Sequence, residues 1–306
     1  MPYFDLQVNG YAGIDFNSDN LEPARVSAAC AELAAQGVEG ILATIITDAL
    51  PAMESRLRAL VSLRETVPAL RQILHGIHIE GPFLSPVDGY RGAHPVDAIR
   101  QASESAMQRL LDAAGGLARL VTLAPEQDPG LHVTRVLACS NIVVSAGHTN
   151  ASLDQLRAAI DAGLTMFTHF GNGCLAHLPR HDNILNRLLA LREHLWFTFI
   201  ADGAHVPFFA LRNYLDLVGL ERSIIVTDAI SAAGLGPGIY TLGRNTVTIG
   251  EDGIARSQDA SHLVGSTITM RASRANLTQR IGLTESEANQ LLFENPRRAI
   301  SGASAS

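Results

Sequence analysis

Short runs of apolar, largely β-branched residues recur along the chain, each bounded by glycine, proline or polar turn residues. Such runs at 4–10, 38–47, 73–80, 117–124, 141–146, 164–168, 196–201 and 223–227 predict strands. Between them, apolar positions return at helical spacing over 22–36, 52–67, 96–114, 131–139, 151–162 and 208–218. Gly37 stops the first helix and Pro68 the second. The strands are almost continuously apolar, as expected where helices cover both faces of a parallel sheet. Strand and helix in strict alternation predict a (β/α)8 TIM barrel.

After the eighth strand the pattern changes. Residues 234–265 hold the turns Gly236-Pro237-Gly238, Gly243-Arg244-Asn245 and Glu251-Asp252-Gly253 between short β-branched runs, which predicts inserted hairpins. Helices are expected at 267–281 and 285–293, the second opened by Thr284 with Glu287 three residues on. The Ser/Ala/Gly tail from Ser301 is expected to fray. No linker composition divides residues 1–306, so one barrel domain is expected.

Polar chemistry gathers where the apolar runs end. In Ile77-His78-Ile79-Glu80 alternation turns His78 and Glu80 to one face, and the strand stops at Gly81-Pro82. His148, His169, His205 and Asp228 follow later runs in the same way. In a barrel of this kind these ends share one mouth, where active sites lie. Glu80, His148 and His169 form a three-ligand set for a catalytic zinc or similar divalent ion with a position left for water. Asp228, across the mouth, suits a base that takes a proton from water and returns it to a leaving group. His94, in the long loop 84–95, and His205 lie on the rim, where they can orient a polar substrate or polarise its carbonyl. Each has a structural alternative: a His-Glu pair pinning a strand end, core histidines at 148 and 169, a turn capped between Asp228 and Ser231, a turn fixed by His205 before Pro207. His75, His132, His177, His194 and His262 are expected to be solvated or structural.

Composition excludes several classes. The 306 residues are 47% hydrophobic, enough for a large core, and the net charge of −7 argues against nucleic acid as a partner. The opening Met1-Pro2-Tyr3-Phe4-Asp5 carries no targeting pattern, and no apolar run reaches the roughly 18 residues of a membrane span, so a soluble cytoplasmic protein is expected. Cys30, Cys139 and Cys174 suggest no disulfide framework. All 23 basic residues are arginine. Without lysine, Schiff-base aldolase, pyridoxal-phosphate and Walker-type chemistry are excluded, as is a carbamylated lysine between two metals.

Taken together, Asp5-Leu6-Gln7-Val8-Asn9-Gly10, His78-Ile79-Glu80-Gly81-Pro82-Phe83, Arg91-Gly92-Ala93-His94, Gly147-His148-Thr149, Thr168-His169 with Asn172, Asp202-Gly203-Ala204-His205, Val226-Thr227-Asp228-Ala229 and Gly265-Ser266 resemble the N-acetylglucosamine-6-phosphate deacetylases of the amidohydrolase superfamily. The resemblance implies a metal on Glu80, His148 and His169, Asp228 as base and acid, and sugar contacts from His94, Asn172 and His205. Gln7 and Asn9 stand where many amidohydrolases carry His-x-His, as in members that bind one metal. The ion expected is zinc, with iron, nickel, cobalt and manganese as alternatives.

Three departures stand out. Family members have further residues before the first barrel strand that help build a small β-sandwich, so a bare barrel is expected here. Asn172-Gly173-Cys174 replaces the family's Asn-Ala-Met, and Arg180-His181-Asp182-Asn183 replaces Arg-Glu-Pro-Gly. That arginine serves the substrate phosphate, in family dimers from the neighbouring subunit, and Asp182 adds a negative charge beside it. The expected reaction is removal of acetyl from an N-acetylated amino sugar, phosphorylated or free, by a protein that is a homodimer if it follows the family. An N-acyl amino acid deacylase and a non-catalytic amino-sugar-binding barrel are the alternatives.

Overall fold

A computed structural model describes residues 2–301; the tail expected to fray lies, beyond Ser301, outside the described residues. The strands predicted by the apolar runs are β1 (Tyr3–Val8), β2 (Val38–Ile46), β3 (Leu74–Glu80), β4 (Ala118–Leu123), β5 (Val143–Ala146), β6 (Leu164–Phe167), β7 (Trp196–Ile200) and β8 (Ser223–Val226). They pair in chain order, each parallel to the next. The ring closes between β8 and β1 through a bridge from Val8 to Ala229 and a bond from the Asn9 N–H to the Ala229 carbonyl at 2.8 Å. Lower on this seam the Asp5 carboxylate receives the Thr227 N–H at 3.2 Å and its hydroxyl at 2.6 Å.

Helices α1 (Pro23–Ala35), α2 (Leu50–Thr66), α3 (Pro68–Ile73), α4 (Glu104–Ala113), α5 (His132–Cys139), α6 (Leu153–Asp161), α7 (Ile184–Leu189) and α8 (Phe208–Val218) surround the barrel. Their apolar faces join Ile41, Ile45, Ile77, Ile79, Val144 and Phe197 in the main core. A second cluster, with Leu6, Leu42, Leu120, Met166, Ile200 and Ile224, fills the barrel interior. Above it lies a polar layer. His78 Nε2 meets the Thr122 hydroxyl at 2.8 Å, Thr122 meets Thr168 at 2.8 Å, and Thr168 meets Ser145 at 2.6 Å. Burial pushes the His78 imidazole down to about 4, so it is a neutral core histidine beneath the site.

Several helices differ from expectation. α3 follows directly on α2, where Pro68 was expected to end the helix, and the C-terminal helices run on to Ile300 rather than to 293. α4 starts at Glu104, not at 96, because the preceding residues are held as a loop: the Arg100 N–H reaches the Pro82 carbonyl and the Ala102 N–H the Gln127 carbonyl. Ser103 then caps the helix by accepting from the Ala106 N–H. α7, between β6 and β7, was not expected; Asn183 caps it in the same way.

The hairpins form an antiparallel sheet of β9 (Gly238–Leu242), β10 (Asn245–Ile249) and β11 (Ala255–Ser257). Leu242, Val247 and Ile249 pack on Ile46, Ile230 and Val264, seating the sheet on the barrel rim. Its first turn is tied down by polar contacts. The Gly243 N–H reaches Asp15 at 2.8 Å, Arg244 pairs with the buried Asp48 and with Asp97, and Asn245 donates to the Ala93 carbonyl at 3.2 Å. The C-terminal helices are α9 (Met270–Asn276), α10 (Glu285–Asn289) and α11 (Asn295–Ile300), with wide turns at Leu277–Ile281 and Gln290–Glu294 joining them into two nearly continuous rods. Among the described residues no helix is long and apolar enough to cross a membrane.

Candidate metal centre

Glu80 ends β3, while His148 and His169 lie just past the ends of β5 and β6. All three are buried. Glu80 Oε1 is 3.2 Å from His169 Nε2 and 3.5 Å from His148 Nε2, and the two ring nitrogens are 3.1 Å apart. Ligand atoms about 2.0–2.2 Å from one ion in tetrahedral or octahedral array stand roughly 3–3.6 Å from each other, so this triangle fits a single cation. The chemistry of the donors fits as well. His148 Nδ1 lies 2.8 Å from the Tyr90 carbonyl and donates its proton there, which leaves the Nε2 lone pair aimed at the centre. Burial works against the Glu80 carboxylate, yet the imidazoles of His148, His169 and His94 gathered around it hold its carboxyl well below the usual range. The cluster can hold a metal ion.

Backbone strain is concentrated at the same residues. His148 (φ +50°), His169 (φ +36°) and Asp228 (φ +52°) are in the left-handed region, where residues other than glycine are uncommon. Each lies two residues past a strand end, so the twist turns its side chain into the mouth. The His169 N–H is fixed by the Thr198 hydroxyl at 2.7 Å, and the His148 carbonyl accepts the Ser85 N–H at 2.9 Å.

Asp228 shares a cavity of about 800 Å³ with the cluster. Its Oδ1 accepts from Asn9 Nδ2 at 2.7 Å, and no bond to Ser231 forms, because that hydroxyl donates to the Thr241 carbonyl. Burial and the charge of Glu80 push the Asp228 carboxyl up to about 7, against the pull of His169, His205 and Asn9. A cation in the cluster would draw it down again.

The remaining expected contacts divide. His94 Nε2 is 3.2 Å from His148 Nε2, and burial, then His148, push this imidazole down to about 3, keeping it neutral. His205 lines the cavity with Nδ1 fixed by Asp202 at 2.7 Å, so its other ring nitrogen is free. Asn172 lines it too, its amide bonded to the His169 carbonyl at 3.1 Å. Arg180 is exposed and does not line the cavity of its own chain. Asp182, expected to repel a phosphate, is paired with Arg187 at 2.6 Å and points to solvent.

Several residues escaped the sequence reading. Gln7 Nε2 donates to both oxygens of Glu80, each at 3.2 Å, so β1 braces one site carboxylate through Gln7 and another through Asn9. No local pattern signals this, since the partners are distant in sequence. Ser261 and His262, from the loop after β11, line the cavity; His262 is exposed, as expected, at its open edge. Arg91 also lines it, paired with Asp88 at 2.6 Å.

An eight-stranded parallel barrel with a buried Glu-His-His cluster and an aspartate at its C-terminal mouth defines a barrel of the amidohydrolase type. No family model matches the sequence. The N-acetylglucosamine-6-phosphate deacetylase of Bos taurus is 32% identical over 306 residues, covering 97% of this chain and 73% of that protein. The N-acetylgalactosamine-6-phosphate deacetylase of a Shewanella strain is 31% identical over 300 residues, with shares of 97% and 73%. Among solved structures, an alanine mutant of the Mycobacterium smegmatis N-acetyl-D-glucosamine-6-phosphate deacetylase, in complex with N-acetyl-D-glucosamine-6-phosphate, matches with a TM-score of 0.87 at 31% identity, over 98% of this chain and 77% of that one. The chain belongs to the family of amino-sugar-6-phosphate deacetylases.

Proposed function

We propose that the protein is a metal-dependent deacetylase that hydrolyses the acetamide of an N-acetylated amino-sugar 6-phosphate, giving the amino-sugar 6-phosphate and acetate. The observation that carries the reading is the Glu80-His148-His169 donor triangle with Asp228 facing it in one cavity. A divalent cation held there, for which zinc suits the nitrogen and oxygen donors, supplies a Lewis acid and acidifies water near neutral pH. Glu80, His148 and His169 are its proposed ligands.

Asp228 is the proposed base and acid. Its carboxylate takes the proton of the attacking water, and the protonated carboxyl then gives a proton to the departing sugar nitrogen. Asn9 holds one carboxylate oxygen and leaves the other for the proton. His205, its Nδ1 fixed by Asp202, keeps its other ring nitrogen for the substrate and is a proposed substrate contact. His94 and Asn172, on the same wall, are proposed sugar contacts. The barrel with its seated hairpin sheet is proposed to work as one catalytic domain, in the cytoplasm.

The 6-phosphate is the part the chain's own cavity supports least, because Arg91 is already neutralised by Asp88. An exposed Arg180 suits a homodimer in which it serves the neighbouring site. A free N-acetyl amino sugar is therefore the second reading. Acetate release from matched phosphorylated and free sugars separates the two. Arg180→Ala should impair only the phosphorylated substrate, and equal turnover of both sugars would favour the second reading. Asp228→Asn should keep its metal and lose deacetylation; a fully active variant would remove the role given to Asp228.

A further inference from the structure

The Asp5 carboxylate has no part in the chemistry described above, yet it is fully buried and fully used. It lies on the helix side of the barrel wall, lining a small cavity with Leu33, Gln36 and Met270, while Asp228 opens into the site cavity on the other side. Its two oxygens receive the Thr227 N–H at 3.2 Å and the Thr227 hydroxyl at 2.6 Å, and the Gln7 N–H comes to 3.2 Å. The Thr227 hydroxyl in turn accepts the Ala229 N–H at 3.1 Å. The residues on both sides of Asp228 are thus tied to one carboxylate, and the residue between them has a backbone φ of +52°. A left-handed aspartate costs roughly 1 kcal/mol or more and persists only where its surroundings impose it.

We propose that Asp5 and Thr227 form a clamp, acting from behind the barrel wall, that holds the backbone of Asp228 in the left-handed turn presenting its carboxylate to the site. Both are positioning residues, since neither lines the site cavity. His169 is held by a related device, its N–H bonded to the hydroxyl of Thr198 on the neighbouring strand. At Asp228 the neighbouring strand is β1, whose ladder to β8 is replaced at this height by the Asp5 side chain, so the clamp also closes the barrel seam. The inference rests on Asp228 acting as the base.

The test compares metal-loaded Thr227→Val, Thr227→Ser, Asp5→Asn and Asp228→Asn with the wild-type enzyme on N-acetylglucosamine-6-phosphate. Valine keeps the shape of threonine but removes the hydroxyl, so kcat should fall about 10- to 100-fold, the cost of a displaced catalytic group, with KM and bound metal unchanged. Serine restores the hydroxyl and should restore kcat. Asp5→Asn, which still accepts from the Thr227 N–H but offers an amide to the hydroxyl, should lose kcat less, and it carries the test if the valine variant does not fold. Combined with Thr227→Val it should cost no more than the larger single change, because both break one clamp. Full kcat in the valine and asparagine variants beside an inactive Asp228→Asn would overturn the clamp alone. A loss of kcat that tracks lost metal or lost folded protein would also overturn it. An active Asp228→Asn would instead remove the base on which the inference rests.

Discussion

Replacing Gln7 by leucine keeps a side chain of similar size at the top of β1 but withdraws the amide that reaches both oxygens of Glu80. At 3.2 Å each bond is longer than the roughly 2.7–2.9 Å usual for an N–H donor on a carboxylate. We therefore count the shared amide as one bond at the lower end of the range for charged acceptors, about 1.5 kcal/mol. The stake is the orientation of Glu80, since without the brace the carboxylate can rotate away from the nitrogens of His148 and His169. At about 1.4 kcal/mol per tenfold change, the metal should bind roughly tenfold more weakly. That lies at the low end of the 10- to 100-fold commonly lost with an outer-shell partner. The assay is competition for zinc between the apoprotein and a chromophoric chelator at fixed pH, with circular dichroism to confirm the fold. Gln7→Leu should behave like wild type once saturated with metal. Metal affinity equal to wild type would refute the brace, and unfolding without metal loss would assign Gln7 to the core instead.

Further outcomes follow from the same geometry. Burial pushes the Asp5 carboxyl up to about 6, above the value near 3.9 of an unfolded chain, so the folded protein binds this proton more tightly. Stability should then fall as pH rises from about 4 to about 6, by up to roughly 3 kcal/mol from this group, and urea titrations should show that slope reduced in Asp5→Asn. Gly92 has φ +54°, and a Cβ there would come within 2.9 Å of the His148 ring; Gly92→Ala should weaken metal binding more than it lowers the melting temperature. Arg244→Ala frees Asp97 and leaves the buried Asp48 to Arg56 alone, which should loosen the loop carrying His94. KM should rise several-fold with metal content unchanged, and steady-state kinetics with metal analysis checks both. His262→Ala should raise KM with little effect on kcat, because His262 lines the cavity but is not among the residues proposed to hold the metal or move a proton.

Most of the barrel was legible because a parallel strand covered on both faces advertises itself as an apolar run, and because the residue that ends each run shares one mouth with the others. The Glu80-His148-His169 set follows from that rule, and the coordinates bring the three together. What escaped was long-range or local in ways that hydrophobic spacing does not record. The residues before Glu104 carry Val96 and Ile99 at helix-like spacing, but backbone bonds to Pro82 and Gln127 hold them as a loop, and only the Ser103 cap marks the true start. The resemblance places Gln7 and Asn9 near the metal, but that they brace Glu80 and Asp228 shows only once β3 and β8 bring those carboxylates to them. His262 falls in a turn-rich insertion, and nothing local places it over the cavity. His78 shows the reverse: it shares the face of Glu80, yet the hydroxyls around it make it part of the core.

The most direct test of the account is metal analysis of the purified protein paired with acetate release from N-acetylglucosamine-6-phosphate, before and after stripping with a chelator. The account predicts one divalent ion per chain, loss of acetate release on stripping, and recovery when zinc is restored, with Glu80→Ala unable to recover. Full acetate release by stripped protein, or by Glu80→Ala without bound metal, would contradict it.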